Sequence, residues 1–239
     1  MINLIMDIEL LFTVILTATI QSLFGVGILL FGTPILLLLD YSFIESILIL
    51  LPISASINIL QIIKDYKYIN RKIYKNILLI TIPFVIISLI LVSSNQYNVS
   101  LFIGIVLIFI ALKDYIGILS NLLNRLMKFE KLYYIIMGVV HGLTNLGGAL
   151  LTAKVFHSKL DKYEKRATIA MSYMTFALFQ IGTLFFLDTQ YELKNILYII
   201  IGVAVYFLVN RLFHNITEYK YEKLFSIFLL FTAILLIVK

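Results

Sequence analysis

Apolar runs separated by short polar loops make up most of the chain. The run at 43–63 is 21 residues long and continuous. At 1.5 Å per residue it covers a bilayer core of about 30 Å. Further apolar stretches lie at 77–92, 99–112, 167–187, 196–209 and 224–238, several of them short for a full crossing. Two segments differ. Positions 8–39 and 132–157 are as apolar as the rest, but glycine and polar residues interrupt them. Between the two sets, 113–131 has Ile116, Leu119, Leu122, Leu123 and Leu126 at helical spacing, with Arg125, Lys128 and Lys131 among them. That spacing predicts an amphipathic helix on the membrane surface, with simple continuation of the preceding helix as the alternative.

The interruptions are related. Gln21-Ser-Leu-Phe-Gly-Val-Gly-Ile-Leu-Leu-Phe-Gly-Thr-Pro34 is followed 120 positions later by His141-Gly-Leu-Thr-Asn-Leu-Gly-Gly-Ala-Leu-Leu-Thr-Ala-Lys154. In that register Gln21 matches His141, Leu23 matches Leu143, Gly27 matches Gly147 and Leu30 matches Leu150. Gln61 and Gln180 echo one another at an offset of 119. The pattern predicts an all-α polytopic membrane protein of two homologous halves. The first repeat covers 1–112, a connecting segment 113–131, and the second repeat 132–239. Each repeat is a broken segment, 8–39 or 132–157, followed by three spans. Matched breaks in two halves are a sequence-level pointer to a transporter's binding site.

Composition agrees with a membrane protein: 62% of residues are hydrophobic and 13% charged, and the mean hydropathy is +1.03. Soluble domains carry about 25% charged residues. The net charge of +6 is read as membrane topology rather than affinity for nucleic acid, because the basic residues sit between apolar runs. Five Lys or Arg lie in 64–75, four in 113–131, five in 154–166 and three in 211–223. If each broken segment crosses fully, the protein has eight passes and parallel halves, and the last two loops face away from the first two. If each dips in and returns, 17 of the 19 basic residues lie on the cytoplasmic side. The positive-inside rule favours the second arrangement, which makes the halves inverted repeats with two re-entrant hairpins meeting near the midplane.

The chain has no cysteine, so disulfides and thiolate chemistry are excluded. The first nine residues contain no Lys or Arg, so the first apolar segment is expected to remain in the mature protein. HExxH, GxSxG and Walker A patterns are absent, and His141, His157 and His214 are too scattered for a metal site. No enzymatic activity, cofactor or metal is therefore expected. What the breaks offer is polar without being acidic. Ser22, Thr33, Thr144, Asn145 and Thr152 can donate hydrogen bonds, and neither stretch holds a carboxylate. A second short helix is expected to start near Ile28 and near Ala149, and helix N-termini favour anions. His141 is the ionisable residue expected at depth, where it would donate to an anion or carry a proton, the plainer reading being a neutral ring bonded to a carbonyl. Gln61 and Gln180 would line the path or join helices.

These residues resemble a known family. Gly25-Val-Gly27, followed by Pro34 and then 36–39, is similar to the first glycine-rich motif of the TauE/SafE sulfite exporter family. His141-Gly-Leu-Thr-Asn-Leu-Gly-Gly148 is similar to the second. The resemblance implies a membrane permease for sulfite, sulfonates or related anions. It carries the anion-contacting glycines over to Gly25, Gly27, Gly147 and Gly148. This chain has Ile28 and Leu29 where the family's glycine run continues, Asn145 for the first glycine of the second motif, and Lys154 where a proline would fall. The expectation is a plasma-membrane permease that exports a small oxidised-sulfur anion by alternating access. Its expected partners are that anion and the lipid bilayer, with a homodimer left open. The expected contacts are Gln21, Ser22, Gly25, Gly27, Thr33, Gln61, His141, Thr144, Asn145, Gly147, Gly148 and Gln180. A non-transporting accessory or scaffold protein is the alternative.

Overall fold

The structure is a computed structural model that describes residues 7–95, 100–112, 116–189, 195–221, 223–224 and 227. Most of the closing apolar stretch at 224–238 lies outside these residues. All regular structure among the described residues is helical. In chain order the helices are α1 (Ile8–Phe24), α2 (Ile28–Leu38), α3 (Phe43–Asp65) and α4 (Arg71–Asn76). A π-helical turn, Ile77–Thr81, joins α4 to α5 (Ile82–Asn95). Then come α6 (Ser100–Leu112), α7 (Gly117–Lys128), α8 (Glu130–Thr144), α9 (Gly147–His157), α10 (Lys162–Phe186) and α11 (Ile196–Asn215).

Among the described residues four stretches are long and apolar enough to cross a membrane: Phe43–Tyr68, Arg71–Ser94, Lys162–Phe186 and Ile196–Asn215. The two longest owe their starting points to capping boxes. Ser42 accepts from the Glu45 N–H while Glu45 accepts from the Ser42 N–H. Asp161 and Glu164 do the same for α10. Each box satisfies two of the N–H groups that a helix start leaves open. The boxes lie 119 residues apart, the register of the repeat. Because of its box, α10 starts five residues before the apolar run at 167. The amphipathic α7 is a separate helix, since Ile116 before it is extended. It buries Leu123 and Met127 and exposes Ile118 and Leu122.

Packing follows the matched register of 119–120 residues. At the centre α3 lies along α10, its own counterpart. α2 packs on α3 as α9 packs on α10, and α1 packs on α11 as α8 packs on α5. α2 also touches α9. Gly138 and Gly142 let α8 approach Thr81 and Val85. Outward-facing Ile63, Leu79, Leu91, Phe185, Phe186 and Leu208 leave an apolar surface suited to lipid.

The two ends of the bundle differ in charge. At one end Lys64 Nζ lies 2.9 Å from His214 Nε2, and the Asn70 N–H donates to Thr168 Oγ1 at 2.8 Å. There Lys162 Nζ donates to the Phe213 carbonyl at 3.3 Å, supplying a cation to the C-terminus of α11. Basic segments from 64–71, 162–166 and 211–216 thus meet. At the other end Asp7 caps α1, accepts from Tyr41 Oη at 2.8 Å, and donates its N–H to Tyr198 Oη at 3.2 Å.

Candidate functional site

Both breaks begin with the same backbone event. α1 stops at Gly25, with φ 78°, whose N–H donates to the Gln21 carbonyl at 2.8 Å. α8 stops at Asn145, with φ 63°, whose N–H donates to the His141 carbonyl at 2.8 Å. A left-handed residue of this kind is a common way to end a helix. Glycine adopts it freely, and asparagine is the side chain that tolerates it best. The departure from glycine at 145 therefore preserves the backbone and adds an amide. The next helix starts at Ile28 in one case and Gly147 in the other. A Cβ on Gly27 would lie 2.7 Å from the Thr17 carbonyl and 2.6 Å from the Gln21 nitrogen. One on Gly147 would lie 2.6 Å from the Met137 carbonyl and would overlap His141 Cβ. In both, the start of the second helix rests on the preceding one about two turns back.

At the first break, side chains of α1 and α3 satisfy one another. Gln21 Nε2 donates to the Ser54 carbonyl at 2.9 Å and to Asn58 Oδ1 at 3.2 Å. Gln21 Oε1 accepts from Ser54 Oγ at 3.2 Å and from the Ile28 N–H, the first of α2, at 3.0 Å. Gln61 Nε2 donates to the carbonyls of Gln21 and Ser22, at 2.9 and 3.0 Å, covering the C-terminus of α1. Asn58 Nδ2 and Gln61 Oε1 have no partner.

The second break is wired differently. Asn145 Nδ2 donates to Thr33 Oγ1 of α2 at 3.2 Å, a direct bridge between the two broken segments. Gln180 Nε2 donates to Asn145 Oδ1 at 2.9 Å, and Gln180 Oε1 lies 3.2 Å from His141 Nε2. The His141 ring packs on Phe176 and edge-on to Tyr173, with centroids 4.3 and 5.8 Å away. Two buried polar atoms here have no partner, His141 Nδ1 and Tyr173 Oη. A Cβ on Gly148 would overlap that hydroxyl, so Tyr173 occupies the space the glycine leaves open. No side chain of the N-cap residue Leu146 caps α9.

All twelve expected contacts are buried or at the breaks. Gln21, Gly25, Gly27 and Gln61 gather at the first, with Ser22. His141, Asn145, Gly147, Gly148 and Gln180 gather at the second, with Thr144, and Thr33 joins the two sets. Ser22 and Thr144 donate their hydroxyls to carbonyls of their own helices, Ala18 and Val140, both at 2.6 Å. Thr152 does likewise toward Ala149 at 3.0 Å. Lys154 lies 3.6 Å from Glu130, against the rings of Tyr133 and Tyr134.

Sequence reasoning missed five residues. Ser54 and Asn58 complete the first network, and Tyr173 faces the second helix start. Asp65 and Arg166 form a buried ion pair at the end of α3 and the start of α10. Arg166 also donates to Asn210 Oδ1 at 2.9 Å and stacks on Phe213 at 3.5 Å. Its carbonyl would be 2.8 Å from a Cβ on Gly25, so the pair braces the first break from below. Both charges are on the polar edges of apolar runs, where sequence alone reads them as loop residues.

A family model described as Sulfite exporter TauE/SafE matches residues 10–236. Neither a curated protein nor a solved structure gives a significant match.

Proposed function

The chain belongs to the sulfite exporter TauE/SafE family, and we propose that this membrane transporter carries a small oxidised-sulfur anion, sulfite, a sulfonate or a relative, outward across the plasma membrane. The observation that carries the reading is the Asn145–Thr33 bridge. It brings the two broken segments together in a buried, amide-rich region, with no carboxylate in either motif. A cation site at depth would be expected to use Asp or Glu. Helix starts, amides and hydroxyls suit an anion instead. A scaffold without transport offers no reason to keep such groups inside a membrane.

The proposed topology is a pair of inverted repeats with re-entrant breaks. It is supported by the meeting of basic segments 64–71, 162–166 and 211–216 at one end, because eight full passes would separate the first from the other two. The seating of Gly27 and Gly147 against the preceding helices supports a chain that doubles back. Alternating access would move one half against the other across the α3–α10 contact. Purified protein in liposomes should carry sulfite or a sulfonate; no flux across a broad anion panel would overturn the reading. A cysteine introduced at Ser158 should label only from the cytoplasmic side, and labelling from outside would overturn the topology.

A further inference from the structure

We propose that the anion sits at the second break alone, against the first turn of α9, where the Tyr173 hydroxyl donates to it and His141 Nδ1 shares one proton with it. The inference rests on the anion-transport reading above and narrows it to a substrate class, oxyanions that carry a proton.

The first-turn N–H groups of a helix have no intrahelical partner and form its positive end. At α2 that position is already taken, because Gln21 Oε1 accepts from the Ile28 N–H. At α9 Thr144 Oγ1 accepts from the Leu146 N–H and the Ala149 N–H donates to the Leu146 carbonyl, while no cap side chain among the described residues takes the Gly147 N–H. Tyr173 is fully buried, its hydroxyl has no partner, and that hydroxyl lies against Gly148 in the first turn. The residue matched to Tyr173 in the first half is Ser54, which is bonded to Gln21. The first N–H of α2 is thus capped by Gln21, whereas the unpaired Tyr173 hydroxyl lies against the first turn of α9.

With Asn145 and Gln180 oriented as in the structure, the hydrogen-bond chain assigns the histidine's protons. Asn145 uses its amide hydrogens on Thr33, so its Oδ1 accepts from Gln180. With the amides in these orientations Gln180 Oε1 is an acceptor, and His141 Nε2 carries the hydrogen between them. In the neutral ring, Nδ1 is a bare lone pair with no partner. A bare lone pair repels an anionic oxygen, whereas a proton placed between the two attracts both. Tyr173 on α10 is the titratable group that meets the ring. α10 otherwise presents Phe176 and Gln180 to it, α9 Gly147, and α5 presents Val85, Ser88 and Leu89 at the adjacent Gly142. Lys154 of α9 is directed to Glu130, away from the break. The seat therefore matches hydrogensulfite, which has one O–H and oxygens to spare. It does not match methanesulfonate, which keeps no proton in water.

The test is flux into liposomes of sulfite across a pH series, and of methanesulfonate, by the wild type, Y173F and H141Q. Glutamine is the residue at the matched position 21, and removing an unpartnered hydroxyl should leave the melting midpoint unchanged. Y173F should raise KM for sulfite about tenfold or more, the size of one hydrogen bond to a charged group. Wild-type flux should fall as rising pH converts hydrogensulfite to sulfite, H141Q should flatten that profile, and methanesulfonate should not be carried. Normal wild-type flux with an unchanged KM in Y173F overturns the seat alone. Methanesulfonate carried as well as sulfite, or an H141Q profile identical to wild type, overturns the shared proton. Absence of any wild-type flux overturns the transport reading and the seat with it.

Discussion

The two breaks are alike in backbone and unlike in chemistry. Each ends a helix on a left-handed residue, Gly25 or Asn145, and restarts it beside a glycine that rests on the helix before. In the first, Gln21 and Gln61 close the ends of both short helices with Ser54 and Asn58 bonded to Gln21, and Asn58 Nδ2 and Gln61 Oε1 stay unpaired. In the second, the matched Gln180 is turned to His141 and Asn145, and a tyrosine hydroxyl and a ring nitrogen stay unpaired. On the proposal above, the first break is a structural support and the second the anion's seat, because Gln21 already takes the first N–H of α2.

The comparison breaks most visibly at Asp65. Among the described residues only the first break rests on a buried ion pair; the corresponding positions in the other half are Leu184 and Ile47. Asp65→Ala strands the Arg166 charge and should cost about 3–5 kcal/mol, read as loss of folded protein in detergent. Replacing both partners by Leu and Met should recover most of it, since the desolvation penalty leaves with the charges. Next in size is Gln21→Leu. It leaves the Ile28 N–H and Ser54 without their acceptor and should cost about 1–3 kcal/mol, lowering the melting midpoint. Tyr173→Phe should leave that midpoint unmoved, and equal destabilisation by the two would erase the distinction between support and site.

Asn145 sharpens the comparison by separating backbone from side chain. Asn145→Gly keeps the left-handed turn but loses the bridge to Thr33 and leaves Gln180 Nε2 without its acceptor, about 1–3 kcal/mol. Asn145→Ala adds the strain of a left-handed residue, about 1–2 kcal/mol more. A melting series that ranks Asn above Gly above Ala supports the assignment; Ala equal to Gly contradicts it.

The smallest effect is at the outer ends. Asp7 caps α1, whereas Phe129 before α8 supplies no side-chain cap. The Tyr41 hydrogen bond holds the Asp7 carboxyl below the usual carboxylate range. Partial burial first, and Asp7 second, push Tyr41 up to about 12, so it donates across the physiological range. A lowered carboxyl pKa means a contribution to stability that is present above the unfolded value and is lost as pH falls through the folded one. Asp7→Asn should remove that acid-side loss, seen as a slightly flatter melting profile below about pH 4.

Much of this layout was legible in the sequence. The offset of 120 located both breaks and matched Gln21 with His141, because glycine and polar residues are conspicuous in an apolar run. The capping boxes were also there, at Ser42–Glu45 and Asp161–Glu164, but the second is inside a basic loop that hid the start of α10. Tyr173 was not legible, since a tyrosine on an aromatic helix face is ordinarily core, and only its meeting with Gly148 singles it out. Nor was the Asp65–Arg166 pair, whose members are 101 residues apart on different helices. Whether Asn145 was a lost glycine or a gained amide depended on φ, which composition does not contain.

The central claim is that the anion rests on α9 and not on α2. Selenite is the selenium counterpart of sulfite and can be located by anomalous diffraction from crystals of the wild-type protein. The account predicts a single selenium peak at the first turn of α9, with an oxygen about 2.5–3 Å from Tyr173 Oη. A peak beside Ile28 at the start of α2, or equal peaks at both helix starts, would contradict it.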